Sequence, residues 1–261
     1  KIEKTEAVDD LEAIVDATDA VMVARGDLGV EADIVTVPAI QKRIIALCNQ
    51  RRVPVITATQ MLDSMQHSEL PTRAEASDVA NAVLDGTDAV MLSGETAVGE
   101  YPRQSVAMMS RIVREAERLL HERPNYVTID ESSAESKATA TTEALAVGAV
   151  ATASKLKSKL IAVATISGRS ALAISKARSS VPVLAICDEQ NIARRMSLLW
   201  GITPVLATDH GLGADRIIKL AESWGIHENV LEPGDHRRGV PSVRQSAVHA
   251  SLCVPQSSVE A

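Results

Sequence analysis

The chain has 261 residues, 46% of them hydrophobic and 23% charged, enough apolar side chain to bury a sizeable core spread over two domains. Only 2% of residues are aromatic and Phe is absent, so Val, Ile, Leu, Ala and Met must fill that core, as they do in helix-covered parallel sheets of the α/β class. Acidic residues outnumber Lys plus Arg by 34 to 27, a net charge of -7 with no basic stripe to neutralise a phosphate backbone, which argues against nucleic acid as a partner.

Taken in chain order, short apolar runs alternate with longer stretches of helical period, the pattern of repeated βα units. Lys1 to Glu3 with a helix over Ala7 to Ala17 form the end of a first unit. Buried parallel strands are predicted at Ala20 to Ala24, Val53 to Ala58 and Ala89 to Leu92, each followed by polar residues: Arg25-Gly26-Asp27, Thr59-Gln60 and Ser93-Gly94-Glu95. Helices predicted over Val37 to Arg51, Arg73 to Leu84 and Arg103 to Leu120 carry apolar residues at three- and four-residue intervals, with Pro71 and Pro102 near helix starts.

The texture changes after Leu120. His121 to Lys137 is polar, contains Pro124 and acid-Ser clusters, and is the expected interdomain connection. A second α/β set follows, with a helix over Ala138 to Leu156, strands Leu160 to Thr165, Val181 to Ile186 and Thr203 to Leu206, and helices from Ser170, Asn191 and Ala214. Repetition of strand, helix and strand implies a parallel sheet with right-handed crossovers. The expected domains are 1–122, 123–234 and an atypical tail at 235–261. That tail has neither clean alternation nor an apolar run, and read in frame it would leave the second domain without its last strands.

The cysteines Cys48, Cys187 and Cys253 are odd in number and show no CxxC spacing, which argues against a disulfide framework or a zinc site and fits a reducing cytoplasm. No apolar run reaches the ~20 residues that span a bilayer, so no membrane is expected. The chain opens at Lys1 without Met or a leading strand, which reads as an interior cut in a longer protein.

Ligands of parallel sheets bind beyond the strand C-terminal ends, which singles out the residues after each apolar run. Lys1 and Glu3, at i and i+2, would present a cation and a carboxylate to one face. Asp27, in a Gly-Asp-Leu-Gly turn, would add a second carboxylate, and two carboxylates with waters suit Mg²⁺. Each alone is equally a salt bridge or a turn residue. Thr59 and Ser93 are hydroxyls at strand ends, equally helix caps. P-loop, GxGxxG, GxSxG and paired-His motifs are absent. Residue spacing thus leads to a metal-assisted α/β enzyme and no further.

The strings KIEKTEAVDDL, MVARGDLGVE, ITATQMLDSM and PTRAEASDVANAVLDGTDAVMLSGETAVGEYP resemble pyruvate kinase, and TISGRSALAISKARSSVPVLAI resembles its C-terminal domain. The resemblance implies the last four βα units of a partial (β/α)8 TIM barrel followed by a smaller parallel-sheet α/β domain. It implies phosphoryl transfer from phosphoenolpyruvate to ADP, giving pyruvate and ATP in glycolysis, with Mg²⁺ or Mn²⁺ and K⁺ as cofactors and a cytoplasmic homotetramer as the assembly.

Carried over residue by residue, Lys1 matches the lysine set against the transferring phosphoryl group, and Glu3 and Asp27 match the metal pair. Gly26, Asp27 and Thr59 match the cradle of the substrate carboxylate, while Thr59 and Ser93 resemble members of the chain that protonates the enolate. Arg25 and Glu95 belong to the same motifs in supporting roles. Thr165, Ser167, Gly168, Arg169 and Ser170 resemble a loop for a sugar-phosphate effector, where strand end, hydroxyls and helix N-terminus suit a phosphate; Ile166 departs from the polar residue found there in some members.

The resemblance also implies that the first half of the barrel, its lid domain, the K⁺ ligands and most nucleotide contacts lie outside this sequence, so the isolated chain is expected to be inactive. His236-Arg237-Arg238-Gly239 departs from the family pattern, and codons for these residues exist whose one-base shift reads Thr-Val-Val, so the tail is read as frameshifted. The alternatives are a non-catalytic sugar-phosphate effector-binding or assembly module, and a different metal-dependent barrel enzyme acting on pyruvate or phosphoenolpyruvate.

Overall fold

β-branched and small apolar residues fit a pleat buried on both faces, and the Val/Ile/Ala runs of this chain form parallel strands that helices cover. The computed structural model describes residues 1–121, 137–207, 213–232, 235, 238–239 and 251–255. The chain divides into two compact units, Lys1–Thr128 and Ile129–Ala261. The expected interdomain connection and most of the tail lie outside the described residues.

In the first unit, helices α1 (Thr5–Asp9) and α2 (Leu11–Asp16) precede β1 (Val21–Ala24), α3 (Arg25–Glu31), α4 (Val37–Gln50), β2 (Val55–Ala58), α5 (Arg73–Asp85), β3 (Ala89–Met91), α6 (Gly94–Ala97) and α7 (Pro102–His121). The strands lie in the order β1-β2-β3, all parallel, with Val21 opposite Val55 and Met22, Ile56 and Ala89 in one row. Ile2 adds a one-residue parallel bridge to Val23 beside β1. Val21, Val23 and Val55 point towards the helices and are buried with Ile2, Leu11, Ile44 and Ile45. Met61, Leu62 and Met65 form a second cluster with Val79, Ala82 and Met109.

Two local expectations change. The single helix over Ala7 to Ala17 is two, because Asp10 leaves helical geometry at φ -103° and ψ 28°, and Asp competes with the helix for backbone hydrogen bonds. The turn expected at Gly26-Asp27 is the first turn of α3. A 3-10 helix at Asp63–Gln66 and the short α6 add elements beyond those expected.

The second unit runs α8 (Lys137–Lys155), β4 (Ser158–Ala164), α9 (Arg169–Lys176), β5 (Val183–Cys187), α10 (Gln190–Met196), β6 (Ile202–Leu206), α11 (Ala214–His227), β7 (Arg238–Gly239) and β8 (Ser251–Pro255). Its sheet order is β6-β5-β4-β8-β7. β4, β5 and β6 are parallel as expected, and Pro204 falls on the edge strand β6, where its missing N–H breaks no ladder. Successive residues of β4 serve opposite faces: Ile161 and Val163 pack with α8, α9 and α10, while Leu160, Ala162 and Ala164 pack with α11. The tail corrects the sequence reading. Despite lacking alternation, it supplies β8, which pairs antiparallel with β4 from Ser158 to Val163, and β7 pairs with β8 in turn. Hydrogen bonding to an exposed strand edge is open to any non-proline backbone, so polarity alone did not exclude a strand there.

Among the described residues, no helix is long and apolar enough to cross a membrane.

Candidate functional site

The site forms where the parallel strands of the first unit end. Ile2 is held on both sides by backbone bonds, its N–H to the Met22 carbonyl at 2.8 Å and its carbonyl from the Ala24 N–H at 3.1 Å, and its side chain is buried. The pleat therefore sends Lys1 and Glu3 to the other face, as their i, i+2 spacing requires. The Lys1 ammonium stands between two carboxylates, 2.5 Å from Glu3 Oε2 and 2.8 Å from Asp27 Oδ2. Asp27 holds the Lys1 ammonium well above its usual pKa, with Glu3 adding to the effect. Reciprocally, the Lys1 hydrogen bond draws the Asp27 carboxyl below its usual range. The three side chains that sequence placed at one mouth are in contact.

Asp27 reaches this point because α3 begins immediately after β1, with Ala24 as its N-cap. The first-turn N–H groups of a helix lack intrahelical acceptors. Here the Gly26 N–H donates to Thr59 Oγ1 at 2.8 Å, and the Thr59 hydroxyl donates to the Ala58 carbonyl at 2.6 Å.

Thr59 and Gln60 both lie in the left-handed region, at φ 68° and 53°. Such conformations cost about 1–3 kcal/mol each for residues with a Cβ and persist only where surroundings enforce them. The side chain bonded to this stretch of backbone is Arg25, which is 8% exposed. Its Nη2 donates to the Thr59 carbonyl at 2.7 Å and to that of Gln60 at 3.1 Å, its Nε donates to the Thr59 and Ala58 carbonyls at 3.2 and 3.4 Å, and Nη2 also meets Met61 Sδ. Nη1 pairs with Asp78 Oδ2 at 2.5 Å and reaches Gln41 Oε1 at 3.4 Å. Sequence reasoning gave Arg25 a supporting place but missed Asp78 and Gln41. Their partnership with Arg25 spans helices α4 and α5 and leaves no mark in spacing.

Glu95, 1% exposed, joins the ends of β2 and β3. Its Oε1 accepts the Leu62 N–H at 3.0 Å and its Oε2 accepts the Ser93 N–H at 2.7 Å. The Ser93 hydroxyl is buried and has no hydrogen-bond partner among the described residues.

Around the second-unit loop, Thr165 and Ser170 are buried, and the Thr165 hydroxyl accepts the Gly168 N–H at 3.0 Å, a local cap. Ser167 and Arg169 are exposed, with Arg169 Nε 3.3 Å from Ser167 Oγ, and Ile166 is also exposed. Gly168, at φ 84°, is the N-cap of α9.

Two carboxylates converging on one cation are hard oxygen donors in the number expected for Mg²⁺ or Mn²⁺, which retain several waters. No cluster of three or more His, Cys, Asp or Glu occurs among the described residues, so nothing there suits a fully protein-caged metal. The chain's own donors fit a divalent cation at Glu3 and Asp27.

Two family models match the chain: pyruvate kinase, barrel domain, over residues 1–106, and pyruvate kinase, alpha/beta domain, over residues 143–238. It is 42% identical over 238 residues to a pyruvate kinase of Clostridium acetobutylicum, covering 90% of this chain and 49% of the relative. It is 48% identical over 235 residues to a pyruvate kinase of Sporosarcina psychrophila, covering 90% of this chain and 39% of the relative. A crystal structure of a pyruvate kinase from Cryptosporidium parvum superposes with a TM-score of 0.82 at 36% identity, covering 97% of this chain and 50% of that one. The chain thus spans half or less of the length of these relatives.

Proposed function

The chain belongs to the pyruvate kinase family, and on that premise we propose that it carries the phosphoryl-transfer corner of an enzyme that moves phosphate from phosphoenolpyruvate to ADP. The observation that carries this reading is the Lys1 ammonium set between Glu3 and Asp27. In this reading Lys1 opposes the charge that builds on the equatorial oxygens of the transferring group in a loose transition state. Glu3 and Asp27 hold the divalent cation, which when bound supplies Lewis-acid polarisation of enolate and phosphoryl oxygens. The first turn of α3 and the Thr59 hydroxyl orient the substrate carboxylate. Thr59 and the Ser93 hydroxyl, which has no partner among the described residues, are members of a chain of hydroxyls and waters that passes a proton from solvent to the enolate carbon.

The remaining parts of the reading are K⁺, most nucleotide contacts and a water-excluding lid supplied by residues outside this sequence, in a cytoplasmic homotetramer. The isolated chain is accordingly inactive. A sugar-phosphate effector would meet Ser167, Arg169 and the first-turn N–H groups of α9, because Thr165 and Ser170 face inward. A purely effector-binding or assembly module would leave the Lys1, Glu3 and Asp27 constellation without a task.

Mn²⁺ titration followed by electron paramagnetic resonance tests the metal site: one ion should bind, and Glu3→Gln with Asp27→Asn should abolish it. Mn²⁺ binding indifferent to both substitutions would overturn the assignment. A coupled assay of the purified chain with phosphoenolpyruvate, ADP, Mg²⁺ and K⁺ should show no turnover, and rates near those of an intact enzyme would refute the stated inactivity.

A further inference from the structure

We propose that Arg25 is a positioning residue that sets affinity for the substrate carboxylate by bracing the backbone of Thr59 and Gln60; this rests on the function proposed above. The argument starts from strain. Thr59 is β-branched and sits at φ 68°, with Gln60 at φ 53° directly after it, a pairing that hard-sphere sterics disfavour for residues carrying a Cβ. Nothing in the segment's own sequence favours it, since neither position is Gly, Asn or Asp.

Arg25 supplies what the segment lacks. Three consecutive carbonyls, those of Ala58, Thr59 and Gln60, accept from its guanidinium, and Asp78 anchors the far side of the same group. A planar fork of five donors can do this, whereas a lysine ammonium cannot span the same set. Arg25 is also the first residue of α3, so its backbone leads directly into Gly26, whose N–H meets the Thr59 hydroxyl at 2.8 Å. One residue therefore grips both halves of the cradle, by its main chain on one side and its side chain on the other. Without the guanidinium, Thr59 relaxes to negative φ and its hydroxyl swings away from Gly26. Glu3 and Asp27 are placed independently, through the Ile2 bridge and α3 itself, so metal affinity should be spared.

The test uses the full 261-residue chain, ¹⁵N-labelled. In Arg25→Lys, hydrogen exchange of the Gly26 amide should accelerate about tenfold and the Kd for pyruvate in the presence of Mn²⁺ should rise about tenfold, while the Kd for Mn²⁺ stays within about twofold. Adding Gln60→Gly, which accepts positive φ freely, should recover part of the Gly26 protection. Unchanged Gly26 exchange in a folded Arg25→Lys chain overturns the proposal, as does a parallel loss of pyruvate and Mn²⁺ affinity or the absence of recovery by glycine. If Arg25→Lys does not fold, Asp78→Asn, which keeps the guanidinium and removes its anchor, is judged by the same measurements. A wild-type chain that binds Mn²⁺ but not pyruvate refutes the substrate reading; the brace then stands or falls on Gly26 exchange and its recovery by glycine.

Discussion

Replacing Glu95 by Gln keeps the shape of a buried side chain and exchanges one carboxylate oxygen for an amide NH₂. Both oxygens are in use, one accepting the Leu62 N–H at 3.0 Å and the other the Ser93 N–H at 2.7 Å, on a side chain that is 1% exposed. One bond becomes neutral and the other is lost, with donor facing donor, and bonds to charged groups contribute about 1.5–3 kcal/mol against about 0.5–1.5 kcal/mol for neutral ones. The first unit should therefore lose about 2–4 kcal/mol. Because Trp200 and Trp224 both lie in the second unit, tryptophan emission follows that unit alone, while far-UV circular dichroism follows both. Urea titration of Glu95→Gln should shift the dichroism transition of the first unit and leave the emission midpoint in place. A loss below about 0.5 kcal/mol, the range of ordinary surface substitutions, would show that Glu95 does not join the two strand ends as described.

The second unit offers a complementary case: Gly225→Ala places a Cβ 2.5 Å from Leu231 Cγ and Cδ1. Overpacking of that kind costs about 1–3 kcal/mol, and it should lower the midpoint read by tryptophan emission; an unchanged midpoint would contradict the packing. Thr72 and Glu75 form a capping box at the start of α5, so Thr72→Ala should destabilise the first unit by about 1 kcal/mol in the dichroism transition. Burial pushes the Glu75 carboxyl up, but hydrogen bonds from Ser64 and Thr72 outweigh it and the folded pKa lies below the ordinary 4.5. Its contribution is thus fully present above that value and lost as pH falls through the depressed one; Glu75→Gln should flatten this acid-side slope, and an unaltered slope would refute the assignment. In Lys1→Met, carboxyl ¹³C titration of Asp27 should move upward towards 3.8, because the Lys1 hydrogen bond is the main cause of its depression; an unmoved titration would show that the pair does not persist in solution.

Much of the candidate site was legible before any coordinates, for a local reason. In repeated βα units the residue after each strand lies at one end of the sheet, so Asp27, Thr59 and Ser93 were placed near one another by alternation alone, and the spacing of Lys1 and Glu3 fixed their common face. That Glu3 and Asp27 are both carboxylates within reach of Lys1 followed from residue type and spacing. What alternation could not show was how these residues are held. The turn at Gly26 is a helix start, which shifts the role of its N–H from a free donor to a partner of Thr59.

The amino-acid sequence by itself determined the order of the parallel strands and of the longer helices between them, the apolar faces that bury them and the chemical identity of the strand-end residues, because these depend on periodicities of a few residues. Only the tertiary structure decided that Arg25 reaches Asp78, 53 positions away, that Glu95 joins two strand ends, and that Thr59 and Gln60 are held at positive φ. It also decided that Ser251–Pro255 completes a sheet beside β4. Each of these depends on contact between distant segments, and a buried hydrogen bond or an open strand edge selects its partner by position in space, which no local pattern records.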